Sequence, residues 1–142
     1  MTSDANAWED QLIADMRAHG GSPSQGPLAG DKLLILYTTG AKSGQRRRSI
    51  VNYHQEGDDY FVAGTKSGAP TNPAWVANIA ANPDVTIEVA NKELAATATV
   101  LTGAERDRAW DEHVVQAPRF GEYPAKVTTR IIPMVRISPK QA

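Results

Sequence analysis

The spacing of the apolar and alternating segments is what most restricts how this chain can fold. Leu33 to Tyr37 is an unbroken apolar run and suits a strand buried on both faces. The turn Thr38-Thr39-Gly40-Ala41-Lys42-Ser43-Gly44 follows, and Arg46 to Gln55 can pair back as a hairpin. Glu56-Gly57-Asp58-Asp59 turns the chain tightly into a third strand, Tyr60 to Thr65. Val85, Ile87 and Val89 alternate with Thr86 and Glu88, which predicts a half-exposed fourth strand. Asn91-Lys92 leads into a fifth, Leu94 to Leu101, and Ile131 to Ile137 forms a sixth. Pro133 in that last segment predicts an edge or a bulge. Successive strands at hairpin distance favour an antiparallel sheet that curls into a small barrel. Strands and helices do not alternate one for one, which argues against a Rossmann sheet. The expected class is mainly β, with a few short helices added (α+β).

Three helices fit around these strands. Residues 4–19 place Trp8, Leu12, Ile13 and Met16 on one face, and Gly20-Gly21 ends the helix. Its acids Asp4, Glu9, Asp10 and Asp15 face a single Arg17, the wrong sign for anionic lipid. Packing on the domain or on a second subunit is expected instead. If the helix only packs, removing residues 1–20 leaves ligand binding intact. Residues 20–31 are dense in Gly, Pro and Ser and read as a linker. The organisation expected is therefore a helix and linker over 1–30, then one folded domain over 31–142. A middle helix is announced by Asn72 as N-cap and Pro73 as its first residue, and it stops near Ala81, before Asn82-Pro83. Thr102 with Glu105 predicts a capping box for a helix carrying Trp110 and Val114 on one face.

A chain of 142 residues supports one sizeable core. Its net charge of −1 is not built to attract nucleic acid, so any electrostatic targeting must come from a local patch. The absence of cysteine removes thiolate nucleophiles, thiolate metal sites and disulfides, and fits a reducing compartment. No apolar run reaches the roughly 20 residues of a membrane helix. The opening MTSDANAWEDQL lacks the basic start and apolar middle of a signal peptide, so a cytoplasmic location without membrane insertion is expected. Dinucleotide, P-loop, serine-hydrolase and zinc-protease signatures are missing. His19, His54 and His113 lack ligand-like spacing and read as surface or structural residues, so no metal is expected. No carboxylate pair stands out as an acid–base couple.

Two loops do carry chemistry. Lys42-Ser43-Gly44-Gln45-Arg46-Arg47-Arg48 holds four cations in seven residues, with no acid among them. Lys66-Ser67-Gly68 repeats the same tripeptide at a second strand end. Glycine lets the backbone approach an anion, serine and free N–H groups donate hydrogen bonds, and lysine supplies charge. Each loop can equally be a solvated hairpin tip. Nucleic acid is disfavoured, because no aromatic residue is interleaved with the cations. On the middle helix Trp75 and Asn78 share a face; periodicity allows Trp75 to be simply core, whereas a half-buried Asn78 needs a partner.

Taken together, the segments LLILYTTGAKSGQRRR, FVAGTKSGAPTNPAWVANIAANPDVTIEV and TRIIPMVRI resemble the F420-dependent reductases of the deazaflavin-dependent nitroreductase type. The resemblance spans about residues 31–138 and rests on T-T-G-x-K-S-G-Q, then K-S-G-A, N-P-x-W-x-x-N and A-N-P in order. It implies a split β-barrel of about six antiparallel strands, related to the flavin-binding pyridoxamine-phosphate oxidases. It implies reduced coenzyme F420, a deazaflavin with a polyanionic tail, as hydride donor. By resemblance Lys42, Ser43, Gly44, Gln45 and Arg47 hold the phosphate and tail. Ala63, Gly64, Thr65, Lys66, Ser67 and Gly68 run along the ring and ribityl chain, and Asn72, Pro73, Trp75 and Asn78 close over it.

The acceptors implied are small molecules: unsaturated carbonyls, quinones and, in some members, nitro compounds. The substrate side departs from the pattern. Members best known for nitroreduction carry several tyrosines there, whereas this chain keeps Tyr123 and has Asn52 where a second-strand tyrosine is expected, with Tyr53 pointing to the opposite face. Tyr123 is either a donor to the acceptor or a lid residue on the ring. Two alternatives stay open beside the reductase: an FMN enzyme on the same fold, and a non-catalytic F420 carrier. Either a monomer or a homodimer is compatible with the sequence.

Overall fold

The computed structural model describes residues 4–26, 28–66, 71–128 and 130–140, with side chains from residue 7 onward. Helix α1 (Asp4–Ala18) precedes three strands, β1 (Leu33–Thr39), β2 (Arg46–Glu56) and β3 (Asp59–Ala63). Helix α2 (Ala74–Ala81) leads to β4 (Asp84–Val89) and β5 (Lys92–Val100). Helix α3 (Gly103–Gln116), a 3-10 turn (Pro118–Glu122), the short α4 (Tyr123–Lys126) and β6 (Met134–Pro139) complete the chain. The strands close into a barrel in the order β1-β2-β3-β6-β5-β4, with β4 pairing back to β1. Every pairing is antiparallel.

The two-residue period of each strand divides its side chains between the barrel interior and an outer face. Leu34, Leu36, Val62, Ile87, Val135 and Ile137 point inward and meet Trp75, Val76 and Ile79 of α2, which plugs one end. The alternate residues of β1, Leu33 and Ile35, face outward and are covered by Leu12, Ile13 and Met16 of α1. Phe61, Ala63 and Met134 face outward on the other side, beneath Ala109 and Trp110 of α3 and Phe120. This explains why β1 reads as continuously apolar: both its faces are covered. Burying each large aliphatic side chain of α1 is worth about 1.5–3 kcal/mol as an upper figure.

Several local expectations are corrected. Trp8 is half exposed and stands apart from the buried triad on α1. Pro133 occupies neither an edge nor a bulge, because a closed barrel has no edge and β6 begins one residue later. Its carbonyl accepts the Gly64 N–H at 2.9 Å, tying β3's exit to β6's entry. Thr102 takes the N-cap position of α3 but its hydroxyl makes no capping bond, and Glu105 reaches Arg136 at 3.2 Å instead of closing a box. Helix α3 also buries His113, which the apolar pattern does not show.

Candidate functional site

The basic loop is the tip of the β1–β2 hairpin. Gly40 N–H donates to the Gln45 carbonyl at 2.7 Å, and Gly44 N–H donates back to the Gly40 carbonyl at 2.9 Å. Gly44 sits at φ +69°, and a Cβ on Gly40 would stand 2.5 Å from Ser43 Oγ, so both glycines are required by the turn. Ser43 Oγ accepts the Gln45 N–H at 3.2 Å. Asn78 fixes this loop from below and is buried: its Oδ1 accepts the Ala41 N–H at 3.0 Å and its Nδ2 donates to Thr38 Oγ1 at 3.2 Å. The expected partners of the Asn78 amide are thus the Ala41 N–H of the loop and the Thr38 hydroxyl of β1.

Strand alternation separates the arginines. Arg46 and Arg48 lie on the outer face of β2. Arg46 stacks over the Tyr37 ring at 4.0 Å. Arg48 is held by Glu9 at 3.1 Å and Asp10 at 3.0 Å. Burial disfavours its charge, but the bonds to Glu9 and Asp10 outweigh this and hold its pKa above the ordinary guanidinium range. Arg47 is paired with Thr38 in the register and faces the other way. With Lys42 it lines a cavity of about 630 Å³ over α2. Neither Lys42 nor Arg47 has a carboxylate partner among the described residues.

The second loop leaves β3 through Ala63, Gly64 and Thr65. Gly64 is buried, and a Cβ there would stand 2.7 Å from Pro133 Cγ. Arg130 clamps this exit: it donates to the Gly64 carbonyl at 2.9 Å, the Thr65 carbonyl at 3.0 Å and Asn72 Oδ1 at 2.7 Å. Asn72 is consequently not an N-cap. Helix α2 begins at Ala74, Pro73 takes the cap position, and no side chain caps the helix. A charged donor competes better for the amide oxygen than a backbone N–H does. Lys66 adopts φ +47° and its Nζ reaches Thr71 Oγ1 at 3.4 Å. Ser67 and Gly68 lie outside the described residues.

A second cavity of about 610 Å³ opens between α1 and the 118–126 segment. Its floor is the outer face of β2, at Ile50 and Asn52, where the apolar cover of α1 ends and that of α3 begins. Trp8, Glu9 and Leu12 form one wall, and Arg119, Phe120 and Tyr123 the opposite one. Lys66, Pro73 and Trp75 line this cavity and the first one alike, so the two adjoin across them. Trp75 is therefore both core and wall. Lys42, Arg47, Lys66, Pro73, Trp75, Ala63, Thr65 and Tyr123 are brought to this joined groove, whereas Gly44 and Gln45 shape the loop beside it. Arg130, Arg119 and Asp31 were not legible as site residues. Each acts through a contact at least 58 residues away along the chain, and no local pattern encodes that. Among the described residues no His, Asp and Glu cluster is placed to hold a metal, and no helix is long and apolar enough to cross a membrane.

Barrel and groove together define a split β-barrel of the coenzyme-binding kind. Residues 10–139 match the model of the F420H(2)-dependent quinone reductases, and the chain belongs to that family. An F420H(2)-dependent quinone reductase of Mycobacterium tuberculosis is 38% identical over 105 residues, covering 72% of this chain and 70% of that protein. A solved F420-H2 dependent reductase superposes with a TM-score of 0.68 at 34% identity, over 75% of this chain and 94% of its own. A solved domain-swapped dimer gives a TM-score of 0.70 at 29% identity, over 95% of this chain and 100% of its own. Family membership makes the protein an F420H2-dependent oxidoreductase, with reduced F420 as its coenzyme.

Proposed function

We propose that the protein delivers hydride from reduced F420 to a small activated acceptor, an α,β-unsaturated carbonyl, a quinone or a nitro compound, in the cytoplasm. The observation that carries this reading is the joining of the two cavities across Lys66, Pro73 and Trp75, with two uncompensated cations at one end and, at the other, a chamber walled by Trp8, Leu12, Phe120 and Tyr123 together with polar side chains. A polyanionic tail needs the first end; a flat ring and an acceptor need the second. When bound, reduced F420 supplies a hydride and its electron pair.

The residues then take distinct roles. Lys42 and Arg47 attract the phosphate and tail, and the rigid turn at Gly40 and Gly44 presents its backbone to them. Asn78 acts indirectly, by fixing that turn. Ala63, Gly64 and Thr65 flank the ring along the exit from β3, with Arg130 holding the Gly64 and Thr65 carbonyls in place. Ser67 and Gly68 join them in this role by resemblance alone, and Asn72 is tied to the exit from β3 through Arg130. Trp75 and Pro73 form the wall between tail and ring. Tyr123 faces the acceptor chamber as a hydrogen-bond donor, and α1 shields the chamber from water. This division of labour explains the absence of a nucleophile or acid–base couple.

The test is an acceptor screen with chemically reduced F420, following the return of the oxidised coenzyme's absorbance. Turnover of menadione, cyclohexenone or a nitroarene above the uncatalysed rate supports the reading and ranks the acceptors. Tight F420 binding without turnover of any of them would make the protein a carrier.

A further inference from the structure

We propose that Arg119 and Asn52, aligned by Asp31, form an oxyanion corner of the acceptor chamber and select acceptors whose reducible bond is conjugated to a carbonyl. The inference rests on the reading of that chamber as the acceptor site. The three residues come from the linker, from β2 and from the turn after α3, yet one carboxylate oxygen joins them. Asp31 Oδ2 accepts from Arg119 Nη2 at 2.8 Å and from Asn52 Nδ2 at 3.4 Å. Arg119 and Asn52 both line the 610 Å³ cavity, with Tyr123 on the same wall. The other N–H groups of Arg119 have no hydrogen-bond partner among the described residues, and the guanidinium lies over Phe120 at 5.5 Å on a side chain that stays about half exposed to an incoming ligand. A cation held from behind by a carboxylate, with its remaining donors unused, is a preorganised site for an oxygen that gains charge.

The electron count gives that oxygen its role. Hydride arriving at the β-carbon of an enone forms a C–H bond, the C=C pair shifts to the adjoining bond, and the carbonyl π pair moves onto oxygen. The enolate oxygen then accepts hydrogen bonds from Arg119 and Asn52, and water later protonates the α-carbon. Asp31 is a positioning residue: it touches no acceptor and acts through the other two.

The test uses the protein loaded with oxidised F420 and 2,6-difluorophenol as a stand-in for the enolate oxygen. Fluorine NMR reads whether the bound phenol is ionised, and F420 fluorescence reads coenzyme affinity in the same samples. Wild type is expected to bind the phenolate about tenfold or more tighter than the phenol. Arg119→Gln should abolish that preference, Arg119→Lys should restore part of it, and Asp31→Asn should weaken it, all with coenzyme affinity unchanged. Coenzyme bound normally but an equal phenolate preference in wild type and Arg119→Gln would overturn the inference and leave the cofactor assignment standing. A preference lost only in Tyr123→Phe would move the role to Tyr123 and likewise overturn it. Failure of wild type to bind F420 would remove the assignment of the chamber and this inference with it.

Discussion

His54 Nδ1 lies 2.7 Å from His113 Nδ1, and both rings are almost wholly buried between β2 and α3. One proton must lie between them. Glu56 accepts from His54 Nε2 at 2.9 Å, so in neutral His54 it is Nδ1 that accepts, and His113 Nδ1 donates. That leaves His113 Nε2 as an unpaired acceptor, packed among aromatic rings.

Burial, and then the proximity of His54, push the pKa of His113 down from 6.5 to about 4. The unfolded chain therefore binds a proton over that interval that the native state refuses. Stability from this residue is complete above about pH 6.5, falls as pH drops, and stops falling below about 4. The loss is on the order of 3 kcal/mol. Glu56, held below its ordinary value chiefly by Arg108 and then by His54, adds a further loss at the acid end. Urea midpoints across pH should show the first step in wild type and not in His113→Leu. That variant should also lose about 1–3 kcal/mol at neutral pH, because His54 Nδ1 is left without a donor.

Coenzyme affinity should depend on the cations that face the groove rather than on those tied down elsewhere. Lys42→Ala with Lys66→Ala is expected to raise the F420 dissociation constant about 10- to 100-fold, and added salt to weaken wild-type binding. Arg46→Ala should have a much smaller effect, since Arg46 rests on Tyr37. Equal losses at Arg46 and Lys42 would contradict the division of the loop into two faces.

Asn78→Ala removes both bonds that hold the hairpin tip, to the Ala41 N–H and to Thr38. The expected cost is about 1–3 kcal/mol in a denaturant titration, with weaker F420 binding and an unchanged far-ultraviolet spectrum. Retained affinity would show that the loop keeps its shape unaided.

Gly64→Ala places a Cβ 2.7 Å from the Pro133 ring, in a closed part of the barrel where neither strand can yield easily. A loss of about 1–3 kcal/mol is expected, read as a lowered melting temperature. Gly57→Ala is a useful comparison, because its added Cβ meets nothing within 4 Å and its strain comes from φ +60° alone.

Much of this architecture was legible in the residues. Each strand was placed to within a few positions, because burial on one face of a pleated strand or on both leaves a period in the sequence. The face of α1 was legible for Leu12, Ile13 and Met16, whereas Trp8 turns toward the chamber mouth. That the sheet curls into a barrel was legible from the hairpin spacing, but which strands close it was not, since the pairing of β1 with β4 leaves no local mark. Both capping forecasts failed for one reason: long-range arginine contacts took Asn72 and Glu105 away from their helices. The His54–His113 pair, 59 residues apart, was equally hidden, and a separation of 88 residues concealed Asp31 and Arg119.

A fluorescence titration of the purified protein with oxidised F420, run beside FMN, tests the central claim most directly. FMN carries one phosphate, which leaves part of the Lys42, Arg47 and Lys66 charge unmatched. Saturable micromolar-range binding of F420 with little response to FMN is the predicted result. Preference for FMN, or no binding of either, would contradict the account of the groove as an F420 site.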